Sequence, residues 1–218
     1  MQEYAFRRST TANPFPSMMG RVCPAPCQDG CNRNNVEDFV GINAVEQYIG
    51  DQAIAEGFSF SCTEEMSGKK VAIVGGGPAG MSAAYQLRKL GHASVIFESH
   101  DKLGGMMRFG IPSYRTPDSH LDPEINRILA MGHIEVQLNT VVGKDISAES
   151  LEKDYDAVLW AIGCWTGRAL PVPNSDAPNC ISAIKYLEAS RQKRLHVTSK
   201  KVVCCLLYTS DAADDIPG

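Results

Sequence analysis

The chain reads as α/β: a parallel, Rossmann-like sheet preceded by a small α-helical segment. Three observations predict this. The apolar run Val71-Ala-Ile-Val74 runs straight into Gly75-Gly-Gly-Pro-Ala-Gly80 and then into a helical pattern. Strand, glycine turn and helix open a βαβ unit. Short apolar runs recur at 94–97, 135–138 and 157–161 with helical stretches between them, the alternation a parallel sheet with helices on its faces requires. Ahead of residue 60 the pattern is helical or irregular, with prolines as breaks.

In chain order, residues 1–11 form a short polar helix, which Asn13-Pro-Phe-Pro16 ends because proline disfavours helical geometry at the residue before it. Residues 17–41 read as irregular. Residues 42–56 read as a helix with an apolar stripe at Val45, Tyr48, Ile49 and Ala53. Residues 57–68 read as a linker. Val71–Val74 is a buried strand, 79–90 a helix stopped by Gly91, and 94–97 a second strand with Glu98 at its tip. A Gly/Pro-rich loop spans 101–117. A helix over 121–131, a strand near 135–138, a helical turn at 148–153, a strand at 157–161 and a helix over 181–191 follow. Lys201-Val-Val203 starts a further strand.

Bulk properties narrow the function. The 218 residues carry a net charge of −4 and no Lys/Arg block, so neither nucleic acid nor an anionic membrane is expected as a partner. No apolar run reaches the roughly 18 residues of a membrane span. Met1 to Arg8 contain no signal-peptide core, so a cytoplasmic protein is expected. Eight cysteines in such a chain read as metal ligands, redox groups or buried thiols rather than disulfides.

The glycine turn satisfies G-x-G-x-x-G in the context that motif needs. Gly75 permits the tight turn, Gly77 lets backbone approach a pyrophosphate, and Gly80 permits close helix–strand packing; Pro78 and Ala79 complete the loop. The helix N-terminus faces the phosphates. Glu98 stands where a carboxylate accepts hydrogen bonds from ribose hydroxyls. Cys23, Cys27 and Cys31 stand at C-x3-C-x3-C spacing with Pro24 and Pro26 between the first two. That is not a zinc-finger spacing. Iron–sulfur clusters take thiolates, usually four each; the alternative is three incidental loop cysteines.

The pair Gly104-Gly105 just beyond Glu98, and Val158-Leu-Trp-Ala161-Ile-Gly163, resemble elements beside FAD in two-dinucleotide-domain flavoproteins. Ile162 stands where Thr is common in the second. A plain NAD dehydrogenase needs neither, so FAD is the expected nucleotide. Adding Asn13-Pro-Phe-Pro16, Gly20-Arg-Val-Cys-Pro-Ala-Pro-Cys27, Gly104-Gly-Met-Met-Arg-Phe-Gly-Ile-Pro112 and Leu170-Pro-Val-Pro173, the chain resembles the glutamate synthase small (beta) subunit family. The resemblance implies two 4Fe-4S clusters in an α-helical domain, here 1–60, with Cys23, Cys27 and Cys31 divided between them and Glu46 as a further ligand candidate. It implies an incomplete FAD-binding domain over 68–200, with Val142, Ala161 and Gly163 on the flavin side. Arg108 and Arg115 lie in the loop that approaches the flavin; either meets phosphate or reduced flavin, or is a plain surface arginine. Electrons are expected to pass from NADPH through FAD and the clusters to a large glutamate synthase-type subunit or another acceptor, and no protein side chain is expected to act as an acid–base catalyst. Alternatives are an electron-transfer subunit of a ferredoxin-linked transhydrogenase or pyrimidine reductase, or a non-catalytic FAD-binding scaffold.

Both ends are expected to be cut. Cluster cysteines are expected upstream, and the NADPH domain is expected to begin at 201–204. Residues 205–218, beginning Cys205-Leu-Leu-Tyr-Thr-Ser-Asp, read as a translated sequencing adapter. Such a fragment is expected to bind FAD weakly and not to oxidise NADPH.

Overall fold

The structure, a computed structural model, describes residues 1–62, 64–167 and 171–194. Among the described residues four parallel strands form the sheet in the order β3-β2-β1-β4: β1 (Lys70–Val74), β2 (Ala93–Phe97), β3 (Ile134–Gln137) and β4 (Ala157–Trp160). The expected α/β class and parallel sheet are what the chain forms. The strand expected at 201–203 and the tail 205–218 lie outside the described residues.

Side chains of β1 alternate between two cores, as a pleated strand dictates. Val71 and Ile73 face a cluster with Met81, Ala84, Leu121, Ile125 and Ile128. Ala72 and Val74 face Val95, Phe97 and Leu151. The first core is closed by α5 (Pro78–Lys89) and α7 (Asp118–Leu129), the second by α8 (Ala148–Asp154). Helix α5 begins with Pro78 at its first position, where the missing N–H costs nothing, and stops before Gly91 at φ +79°.

The helical segment departs from expectation in two places. Residues 17–41, read as irregular, contain α2 (Pro16–Val22), α3 (Pro26–Asp29) and a 3-10 turn over Asn32–Asn35. Pro16 and Pro26 start these helices rather than prevent them, because each stands in the first turn. Helices α1 (Gln2–Ser9) and α4 (Ile42–Ala55) form where expected. The stripe that α4 buries is different: Gly50 and Ala53 are buried, whereas Val45 and Tyr48 are exposed. Small residues win because α2 packs directly on them. A Cβ at Gly50 would overlap the Ser17 backbone nitrogen, and one at Gly20 would stand 2.5 Å from Gln47 Cβ.

The segment 57–68 is pinned. Phe60 stacks on Phe6 at 5.5 Å and lies 4.7 Å from Tyr85. Phe15 and Met18 belong to the same apolar cluster as Ile73 and Met81, so the N-terminal helices share a core with the sheet.

Candidate functional site

Three loops meet at the C-terminal edge of the sheet, where open α/β sheets bind ligands. The turn after β1 holds Gly75 at φ +112°, with its N–H donating to Phe97 O at 2.8 Å. A Cβ there would overlap the carbonyl oxygen of Ala161, the residue that follows β4. A Cβ at Gly80 would overlap the Gly75 carbonyl, which explains the third glycine. The loop after β2 brings in Gly104 and Gly105 at φ +124° and +50°. Gly104 N–H donates to Gly76 O at 2.9 Å, and a Cβ on Gly105 would stand 2.7 Å from Gly77 Cα. The two glycine pairs thus touch backbone to backbone. Helix α5 has no side-chain cap, so its first N–H groups are free for an anion. Gly163, at φ +69°, lies beside Trp165. Val142 packs its side chain on the second core. The residues present fit a dinucleotide pyrophosphate: a bare backbone cradle at an uncapped helix start.

Glu98 is buried and already engaged. One oxygen accepts from Gly76 N–H at 2.7 Å; the other accepts from His100 N–H and faces His100 Nδ1, both at 2.9 Å. His100 stacks on Phe109 at 4.3 Å and lies 4.9 Å from Trp165. Its Nε2 is 3.6 Å from Glu188 on α9 (Ala183–Arg191). Sequence reasoning missed this histidine; its position two residues after Glu98 was the available signal. A cavity of about 830 Å³ opens between α9 and the loop after β2, lined by His100, Lys102, Arg108, Tyr114 and Arg191 among others.

The two loop arginines separate. Arg115 is exposed. Arg108, on the short helix α6 (Met106–Phe109), is buried; its Nε donates to Leu103 O, its guanidinium is paired with Asp122, and Asp118 lies 3.5 Å away. Arg191 ties α9 to the same place through Asp118 at 2.8 Å and through Arg108 O.

In the N-terminal segment, Cys23 and Cys27 are exposed and Cys31 is half-buried, all as free thiols. Backbone N–H groups of Val40 and Arg33 hold the Cys31 thiol below its usual range, which favours the thiolate that iron binds. Among the described residues no three His, Cys, Asp or Glu side chains stand together as a ready metal site. The donor chemistry fits an iron–sulfur cluster, for which the three thiols would supply part of a ligand set. Glu46 accepts a hydrogen bond from Asn13 Nδ2 at 2.7 Å.

Sequence reasoning also missed Glu124. Fully buried on α7, its carboxylate accepts from the N–H groups of Ser17 at 2.8 Å and Met18 at 3.1 Å. Burial pushes it up to about 7 against the pull of those N–H groups and of Arg127 and Arg21. Beside it, Arg21 pairs with Asp51 at 2.8 Å. Asp51 is partly desolvated, yet hydrogen bonds from Arg21 and Ser17 hold it below the usual carboxylate range.

Two family models match the chain: a dihydropyrimidine dehydrogenase domain II, 4Fe-4S cluster, over residues 1–58, and an NAD(P)-binding Rossmann-like domain over residues 73–130. The glutamate synthase [NADPH] small chain of Mycobacterium tuberculosis is 39% identical over 84% of this chain and 38% of its own length. The NADP(+)-dependent formate dehydrogenase subunit beta of Moorella thermoacetica is 36% identical over 93% of this chain and 32% of its own. The chain therefore spans well under half the length of these relatives. Among solved structures, Mycobacterium tuberculosis FprA in complex with NADPH aligns with a TM-score of 0.53 at 26% identity, over 56% of this chain and 28% of that one. Among the described residues no helix is long and apolar enough to cross a membrane.

Proposed function

We propose, from the premise that this chain is a homologue of the glutamate synthase small chains, that it supplies the flavin site and part of the cluster site of an NAD(P)H-dependent oxidoreductase. The observation that carries the reading is the backbone contact between residues 75–80 and Gly104-Gly105 at the C-terminal edge of a parallel sheet. A single fingerprint serves NAD(P)H or FAD alike; the second glycine pair favours FAD. FAD, when bound, accepts a hydride and passes electrons on singly. The chain's own residues bind and orient it. Residues 75–80 and the start of α5 hold the pyrophosphate, Gly104 and Gly105 cover it, and Glu98 turns toward the ribose once His100 releases it. Arg108 keeps the covering loop in place from within. Ala161, Gly163 and Val142 flank the nucleotide. Cys23, Cys27 and Cys31, with Glu46 as the weaker candidate, ligate iron–sulfur clusters in a helical domain over 1–60, beside a flavin domain over 68–200. NADPH is the expected reductant and the large glutamate synthase-type subunit the expected acceptor. A cytoplasmic setting keeps the thiols reduced.

A second reading keeps the electron path and changes the partner. It rests on the similarity to a formate dehydrogenase subunit, which extends over more of this chain than the match to the small chain does.

Titration of the purified chain with FAD and separately with NADPH, followed by tryptophan and flavin fluorescence, tests the nucleotide. Saturable FAD binding, weaker NADPH binding and loss of both in Gly77→Val are expected. FAD binding that Gly77→Val leaves intact, or no binding at all, overturns the assignment.

A further inference from the structure

Helix α7 touches both ends of the proposed electron path. Asp118 and Asp122 hold Arg108, whose Nε binds the carbonyl of Leu103 just before Gly104-Gly105. Glu124 stands two residues beyond Asp122, about 200° around the helix, and reaches a different element. Its carboxylate takes the N–H groups of Ser17 and Met18. These are the second and third residues of α2, donors that a helix start leaves without partners, and α2 has no side-chain cap of its own. Cys23 follows directly on α2 as its C-cap, and its N–H closes the last turn on Met19 O at 2.8 Å. Other polar contacts of α2 lead elsewhere: Ser17 and Arg21 bond Asp51 on α4. Glu124 is thus the hydrogen-bonded tie from the flavin-loop helix to the helix that delivers the first cluster cysteine. A buried carboxylate costs free energy that an apolar side chain of similar size avoids, so its worth lies in the geometry it sets.

We propose that Glu124 is a positioning residue for electron transfer, fixing Cys23 relative to the Gly104-Gly105 loop by anchoring α2 to α7. The proposal rests on the flavin-to-cluster reading above. Loss of the tie leaves the flavin loop in place, because Arg108, Asp118 and Asp122 do not depend on it, and loosens α2.

Two measurements test it. In the full-length holoprotein, stopped-flow absorbance follows flavin reduction by NADPH and then cluster reduction. For Glu124→Leu the expected result is flavin and iron content as in the wild type, flavin reduction unchanged, and cluster reduction slowed about tenfold. Glu124→Gln retains one acceptor oxygen and is expected to recover most of the rate. In the cofactor-free chain, amide exchange at residues 19–23 is expected to quicken about tenfold in Glu124→Leu, with β1 unchanged. Cluster reduction at the wild-type rate overturns the proposal, as does slowing that merely tracks lost cofactor. Should Glu124→Leu not fold, Glu124→Met, close to glutamate in length and without an acceptor oxygen, takes its place: a cluster rate and α2 exchange equal to wild type refute positioning. A wild-type holoprotein without flavin or clusters refutes the underlying function instead.

Discussion

Glu124 is a fully buried carboxylate, and its proton matters to stability. Its pKa stands at about 7 in the fold, raised chiefly by burial, and near 4.3 in an unfolded chain. The groups facing it are Arg21 on α2 and Arg127 on α7, with Asp51 on α4 and His120 on α7 beyond Arg21. Between those two pH values the folded state holds a proton that the unfolded state has released, so stability falls as pH rises through the window. The contribution is on the order of 3 kcal/mol. Urea denaturation at about pH 5 and about pH 7.5 should therefore show a drop in the wild type that Glu124→Gln largely removes. An equal drop in both proteins would refute the assignment. Part of this was legible in the sequence: Leu121, Glu124, Ile125 and Ile128 share one helical face, which puts a carboxylate among apolar residues. Its purpose was not, because its partners stand 106 and 107 residues away. Gly75 and Gly80 were legible because the turn after β1 and the start of α5 demand them locally; the engagement of Glu98 by His100 depends on a loop path that no spacing encodes.

At the scale of elements, helices α2 and α4 show how packing overrides an apolar count. The stripe Val45, Tyr48, Ile49, Ala53 has helical spacing, yet the contact face runs through Gly50, and two of the four apolar residues stay exposed. Periodicity reports where apolar side chains lie, not where a second helix needs an absence of side chain. Gly50→Ala should therefore act against intrinsic propensity. Alanine is favoured over glycine in an open helix by about 1 kcal/mol. Here its Cβ would overlap the Ser17 backbone, and forced overpacking costs about 1–3 kcal/mol. A net loss is expected, read as a lower urea midpoint at unchanged slope. A raised midpoint would mean that α2 yields easily and that the close approach is incidental. The four described strands, by contrast, were placed within two residues by short apolar runs with breaks on both sides, because both faces of this parallel sheet are covered at its centre.

At the scale of the whole molecule, the sequence divides near residues 57–68, where pattern changes from helices to strand–helix alternation, while the packing crosses that division. Phe15 and Met18 sit in one cluster with Ile73 and Met81. Tyr85 Oη donates to Thr10 O at 2.6 Å, and the Arg127 guanidinium lies 4.9 Å from the Phe6 ring and 5.8 Å from Phe60. Tyr85 and Arg127 belong to the sheet layer, Thr10 and Phe6 to the helices. Two segments that share a core this way should unfold together. Phe15→Ala removes a side chain only 2% exposed, at a cost of about 3–5 kcal/mol. That loss should lower protection of α4 and β1 amides alike in native-state hydrogen exchange, because neither persists without the common core. If α4 amides instead open at lower denaturant while β1 keeps wild-type protection, the helices are a separate unit docked on the sheet. A docked unit would leave Cys23 free to move relative to the glycine loops. A shared core, together with the Glu124 tie, sets that spacing before any cofactor binds, as the proposed electron transfer between the two sites would require.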